Sequence, residues 1–238
     1  MLSAPLQVLV GAVLPYLAVM AFLAGVTHRL LTWQRLPQPG SLTLFPTKGS
    51  GLGPLAKEAM LFPSLRRGDG FLWALAWVFH VTLAVAFVGH LRVVTGLGDR
   101  ALGALGVGPG AMVAVSTIAG GTAGIVLLAT IAGFIARRLL LRRVREISGL
   151  PDFAALLLLT AVIFSGNLMR WLGSPSELAL ARSWVASLLT LSPQAPPSAL
   201  LLLHAFFAEL LILYIAFSKL MHFGGFFFTF SLTKRTDP

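Results

Sequence analysis

Residues 71–96 form an apolar stretch long enough to cross a bilayer, and the only ionisable side chains in it are His80, His90 and Arg92. In lipid such a stretch has to be a helix, because every backbone N–H and C=O must find its partner within the segment. Imidazoles are expensive in hydrocarbon, so histidines inside a span face the interior of a bundle and mark a site. Residues 198–222 form a second stretch of this kind and carry His204 and His222. Four histidines on two spans point to ligands.

Helix geometry sets how those ligands are grouped. On a straight helix His204 and His222 are five turns apart, on one face and separated by about 27 Å. His80 and His90 are about 15 Å apart and about 80° round from each other. A single metal held by all four rings would need every ring nitrogen about 2 Å from it, which these spacings exclude. Two centres at different depths fit them.

With 57% hydrophobic and 11% charged residues and a mean hydropathy of +0.87, the chain reads as an integral membrane protein. At about 20 apolar residues per span, its 238 residues make one all-α bundle of five transmembrane helices in a single domain. The spans fall at about 5–31, 71–96, 111–141, 152–172 and 198–222. The first lacks a basic leader and a small-residue cleavage site and is too long for a signal peptide, so it is read as a helix. Pro15-Tyr16 is read as a kink in it. Residues 55–66 mix apolar side chains with Lys57, Glu58 and Arg66 and read as an interfacial helix lying on the lipid. The fourth span starts at Gly149-Leu150-Pro151-Asp152, with Asp152 as N-cap, and a Ser- and Pro-rich connection leads to the fifth. There are no cysteines, so disulfides, thiolate zinc and iron–sulfur clusters on this chain's own ligands are excluded.

The net charge of +10 does not indicate nucleic acid, because the basic residues lie in connections beside apolar spans. Most of them, including Arg66, Arg67, Arg137, Arg138 and Lys219, fall on one side, whereas Arg92, Arg100, Arg170 and Arg182 fall on the other. By the positive-inside rule the N-terminus is outside and the C-terminus cytoplasmic, in the plasma (inner) membrane. Span two then runs outward and span five inward, which pairs His90 with His204 near the outer surface and His80 with His222 deeper. The axial separations of about 15 and 27 Å differ, and helix tilt of about 20° is the expected means of reconciling them.

Two neutral imidazoles from facing helices can fill both axial positions of a haem iron, and two such centres stacked across the bilayer make an electron path. Phe79-His80, Val88-Gly89-His90, Ala119-Gly120-Gly121, Arg137-Arg138, and His204 with Phe217-Ser218-Lys219-Leu220-Met221-His222 resemble the gamma subunit of respiratory nitrate reductases, a five-helix dihaem cytochrome b. The resemblance covers about 71–223. Trp33 and the run Lys57-Glu58-Ala59-Met60-Leu61-Phe62-Pro63-Ser64-Leu65-Arg66 are more similar to the membrane cytochrome b of the dissimilatory sulfite-reduction complex and its relatives near heterodisulfide reductases. The resemblance implies two b haems, with His90 and His204 on the outer, lower-potential one and His80 and His222 on the inner, higher-potential one. It also implies menaquinone or another quinone as redox substrate and a cytoplasmic iron–sulfur or catalytic subunit as partner. Quinol oxidation or quinone reduction would occur at the membrane.

The remaining candidates each carry two readings. Arg92 is placed to pair with haem propionates or to act as an ordinary interfacial arginine. Gly120 and Gly121 let either a flat cofactor or a neighbouring helix approach. Glu209 is mid-span, about 140° round from His204, and serves quinone binding, proton transfer or a neutral structural hydrogen bond. Asp99 and Arg100 are candidate quinol-site residues on the outer connection. His28 has no partner at its depth and reads as an interfacial anchor. The rival function is a haem-free transporter using these histidines for metal or protons, which should show paired broken helices.

Overall fold

The computed structural model describes residues 3–35 and 52–226, and among these all regular structure is helical. Lys48, Lys234 and Arg235, three of the basic residues used for orientation, lie outside the described residues. Four helices are long and apolar enough to cross a membrane: α1 (Ala4–Arg35), α4 (Gly70–Val94), α6 (Pro109–Leu140) and α8 (Leu150–Leu172). α10 (Ala199–Ile215) and the segment Lys219–Phe226 pass the same test together but meet at 72°, so they bring the number of crossings to five if the bent pair is one span. Short helices fill the connections: α2 (Leu52–Leu61), α3 (Pro63–Gly68), α5 (Leu97–Ala104), α7 (Arg142–Glu146) and α9 (Glu177–Leu189).

The boundaries follow local chemistry. Asp69 caps α4, its carboxylate accepting from Leu72 N–H at 2.8 Å, and also pairs with Arg137 at 2.6 Å, tying the start of α4 to the end of α6. At the start of α8 the N-cap is Gly149, not Asp152. Asp152 sits three residues in and its carboxylate accepts from the Gly149 N–H at 2.9 Å, a reach-back that satisfies a donor the first turn leaves free. Pro15 lacks an N–H, so the Gly11 carbonyl has no helical partner at that position. The helix widens into a π-turn over Leu9–Val13, and Gly11 O accepts instead from the Trp184 indole at 2.7 Å.

That indole belongs to α9, which the Ser/Pro-rich reading of the connection did not foresee. The helix lies across neighbouring helix ends: Tyr16 donates to Leu188 O at 2.8 Å, Arg182 to Arg92 O at 2.8 Å, and Ser198, the cap of α10, to Glu177 at 2.8 Å.

Neighbouring pairs are α4 with α6, α6 with α8, α8 with α10, and α10 with α1. Phe79, Leu127, Ile131 and Leu156 form the apolar centre of α4, α6 and α8. Much of the remaining apolar surface, Phe87 at 67% exposure among it, faces outward as lipid contact requires. At the run 119–124 side chains of α8 come up against the backbone of α6: the Arg170 guanidinium occupies the place of a Gly120 Cβ and the Asn167 amide that of a Gly124 Cβ. At these positions the small residues receive a neighbouring helix.

The break between α10 and Lys219–Phe226 replaces the tilt expected from a straight helix. His204 to Ile215 covers about 16 Å of axis, close to the separation of His80 and His90, and the chain then turns aside. Ser218 is extended, with φ −115° and ψ 178°, and its hydroxyl accepts from Leu220 N–H at 3.2 Å. A serine capping a new turn in this way competes with continuation of the helix.

Candidate functional site

α4, α10 and the segment beyond the bend bring the four histidines together as two pairs. The rings of His90 and His204 lie 6.1 Å apart, centre to centre, with planes 27° from parallel. Those of His80 and His222 lie 6.0 Å apart with planes crossing at 88°. His90 and His222 are exposed, and His80 and His204 half-buried.

Every ring has Nδ1 engaged. His80 and His90 bond the carbonyls of Ala76 and Ala86, one turn back on the same helix, both at 2.7 Å. His204 reaches across to α8, to Val162 O at 3.1 Å and Ser165 Oγ at 3.2 Å. His222 bonds Lys219 O at 3.2 Å. A carbonyl only accepts, so each contact fixes the proton on Nδ1 and leaves the Nε2 lone pair for a metal, the arrangement by which hydrogen bonds on the second nitrogen orient metal-binding histidines.

The spacing tests what these pairs fit. With a metal–nitrogen bond of about 2 Å, two imidazoles on opposite sides of one ion have ring centres about 6 Å apart. Both pairs meet this, and with the Nδ1 carbonyl contacts they suit a metal that takes two axial imidazoles and finds its other ligands elsewhere, as haem iron does. Among the described residues no three His, Asp or Glu side chains converge to hold an ion by themselves. A closed protein-only metal site is therefore not what these pairs form.

Two contacts were not foreseen from the sequence. Phe62 adopts a left-handed conformation, φ 48° and ψ 47°, between α2 and α3, and its ring stands edge-on to His80 at 5.3 Å. The segment read from the sequence as interfacial thus reaches the His80–His222 pair. Gly166 faces His204 so closely that a Cβ there would lie 3.1 Å from Cε1. The Ser165-Gly166 step in the sequence is the signal that could have found this contact, as a small pair opposite a large ring.

At the other end of α4, Asp99 joins two arginines. Arg92 Nε meets one carboxylate oxygen at 2.7 Å and Arg182 Nη2 the other at 2.6 Å. Arg92 is thereby committed through Nε to Asp99, and Arg182, not singled out from the sequence, completes the clamp. Arg100 is exposed beside Gly96. The Arg182 and Arg92 hydrogen bonds hold the Asp99 carboxyl below the ordinary carboxylate range. A depressed native pKa stabilises the fold above the unfolded value, about 3.9, and that stability is lost as pH falls through the lower native value. Asp99→Asn is expected to lower the thermal midpoint equally at pH 6 and pH 8, with the gap from wild type narrowing only below about pH 4. A gap that closes near pH 6 would assign the effect to histidine instead.

Glu209 is 4% exposed, and neither carboxyl oxygen has a partner among the described residues. It shares a helix face with Leu202, Ala205 and Ala216, all buried, and Ala216 packs against Gly25 of α1. Glu209 therefore belongs to the α1 side of α10, away from the His204 ring. His28 is exposed, and its carbonyl accepts from Thr32 at 2.8 Å.

The protein-family pattern described as nitrate reductase gamma subunit matches residues 68–236. The chain is 31% identical over 174 residues to the Hdr-like menaquinol oxidoreductase cytochrome b-like subunit of Archaeoglobus profundus, across 67% of this chain and 48% of that one. It is 27% identical over 264 residues to the protein of the same name from Archaeoglobus fulgidus, across 93% of this chain and 78% of that one. The chain spans about half the length of the first of these relatives.

Proposed function

The chain belongs to the nitrate reductase gamma subunit family, and on that premise we propose that it is the membrane cytochrome b subunit of a menaquinol-linked oxidoreductase, with two b haems held by His90 with His204 and by His80 with His222. The observation that carries this reading is the spacing of the two ring pairs, 6.1 and 6.0 Å, which is the spacing two axial imidazoles take about one metal. The names of the relatives support menaquinol as redox substrate and fit the branch read from the N-terminal third.

A haem with both axial positions filled supplies one-electron transfer with little rearrangement and no open position for oxygen or substrate. The chain's own residues do the rest. The carbonyls of Ala76, Ala86, Val162 and Lys219 hold each imidazole in one tautomer and orientation. Phe62 and Phe79 stand edge-on to His80 and limit water there. The N-terminus is placed outside, in the plasma (inner) membrane, on the strength of the basic connections. That puts His90 and His204 near the outer face and His80 and His222 near the cytoplasmic face, where an iron–sulfur subunit would dock.

Purified protein is expected to show about two b haems per chain by pyridine haemochrome, both reduced by a menaquinol analogue. A well-folded preparation without haem would overturn this and make the transporter the reading to test, although among the described residues one broken crossing is present where a transporter would be expected to show a matched pair.

A further inference from the structure

The four histidines are not held alike. Ala76, Ala86 and Val162 lie on regular helix, so the partners of His80, His90 and His204 are fixed by ordinary helical hydrogen bonds. The partner of His222 is the carbonyl of Lys219, at the start of the short 3-10 turn Lys219–Met221 beyond the 72° bend. The turn opens the short helical segment Lys219–Phe226, and a helix of about two turns has little stability of its own. Something else has to fix it.

The contacts that do so come from outside the turn. Lys219 Nζ meets both Asp152 oxygens, at 2.9 and 3.1 Å. Asp152 is itself fixed in the first turn of α8 by the Gly149 N–H. One residue away, Pro151 O accepts from the Tyr214 hydroxyl at 2.8 Å, just before the bend. From α1, Arg29 donates to Ser218 O at 3.3 Å. The bend is thus tied to two neighbouring helices, and Met221, 2% exposed, anchors its apolar side. A continuous chain runs from the Asp152 carboxylate to the Lys219 ammonium, through the Lys219 backbone to its carbonyl, and on to Nδ1 of His222.

We infer that Asp152 and Lys219 are positioning residues for the inner centre, setting the plane of the His222 ring across that of His80. The inference rests on the haem reading above and deepens it. Ring planes matter at a bis-imidazole iron because nearly parallel imidazoles split the two metal d orbitals that have π symmetry towards the axial ligands, whereas crossed imidazoles leave that pair nearly equal in energy. The 27° pair should therefore give a rhombic low-spin EPR signal, and the 88° pair a strongly anisotropic one at higher g.

The haem content of the unmutated protein is measured first and tests the functional reading by itself. Lys219→Met removes the clamp, and Lys219→Arg keeps a cation within reach of Asp152. Asp152→Asn keeps an oxygen for the Gly149 N–H while losing the charge. Lys219→Met and Asp152→Asn are expected to move the high-g signal or abolish it, leave the rhombic signal in place, and raise amide hydrogen exchange over 217–222. Lys219→Arg should keep both the high-g signal and the exchange as in the unmutated protein. Unchanged exchange over that segment overturns the clamp whatever the haem content. With haem present, an unmoved high-g signal, or both signals changing together, overturns the positioning role.

Discussion

Replacing His204 with alanine is expected to remove one of two b haems and leave the other, halving the haem per chain. His90→Ala should lose the same centre, and His80→Ala and His222→Ala the other, because the rings face each other in those two pairs. Coupling within a pair gives the sharper result. Once one axial ligand is gone the centre is already lost, so the double variant His90→Ala with His204→Ala should be no worse than either single, a large departure from additivity. The cross-pair double, His90→Ala with His80→Ala, should lose both haems. Four unrelated core histidines would behave otherwise, each costing stability by its own local packing and adding across all pairs. Haem quantitation with redox titration of the six variants separates the two cases, and equal losses from every pairing would sink the two-centre assignment.

What the residues disclosed before the fold was known, and what they withheld, divides along physical lines. Membrane spans were legible because hydrocarbon imposes one requirement, internal hydrogen bonding, over about 20 residues at a time. The starts of α4 and α8 fall within a few residues of the expected 71 and 152, since composition changes sharply there. The bend before Lys219 was not legible. A run of apolar residues continues through Phe217, and the one serine that caps a new turn is also a residue that helices tolerate in lipid. Periodicity therefore gave a straight helix and a spurious 27 Å, and tilt was asked to do what the break does. Helix α9 was hidden for a related reason, because its sequence is of middling polarity between Ser/Pro turns and what holds it is distant in sequence: Trp184, Arg182, Glu177 and the Leu188 carbonyl find their partners in α1, α4, α5 and the cap of α10. Arg92 was singled out from the sequence, but Arg182, which meets it on Asp99, lies 90 residues away in sequence from Arg92. Long-range polar pairing of this kind has no local signature.

Gly166→Leu is expected to abolish the outer haem and spare the inner one. A Cβ at this position already comes within 3.1 Å of His204 Cε1 and 3.3 Å of Nδ1, so alanine would press on the ring and leucine would drive it aside. Displacement breaks the Nδ1 contacts with Val162 O and Ser165 Oγ, freeing both the ring's orientation and its tautomer. Overpacking of this sort costs about 1–3 kcal/mol, which a bundle joined by the other helix seams should survive. In the other pair His222 lies beyond the bend, on a segment held from α1 and the start of α8, and His80 on α4 is contacted by Phe62, none of which is among the atoms nearest Gly166. A graded series follows: Gly166→Ala should retain the outer centre with a shifted potential, Gly166→Leu should lose it, and the inner potential should stay fixed throughout. Loss of both haems in Gly166→Ala would mean that the glycine serves the whole bundle, and an unaltered outer potential in Gly166→Leu would mean that His204 does not ligate from the position it occupies here.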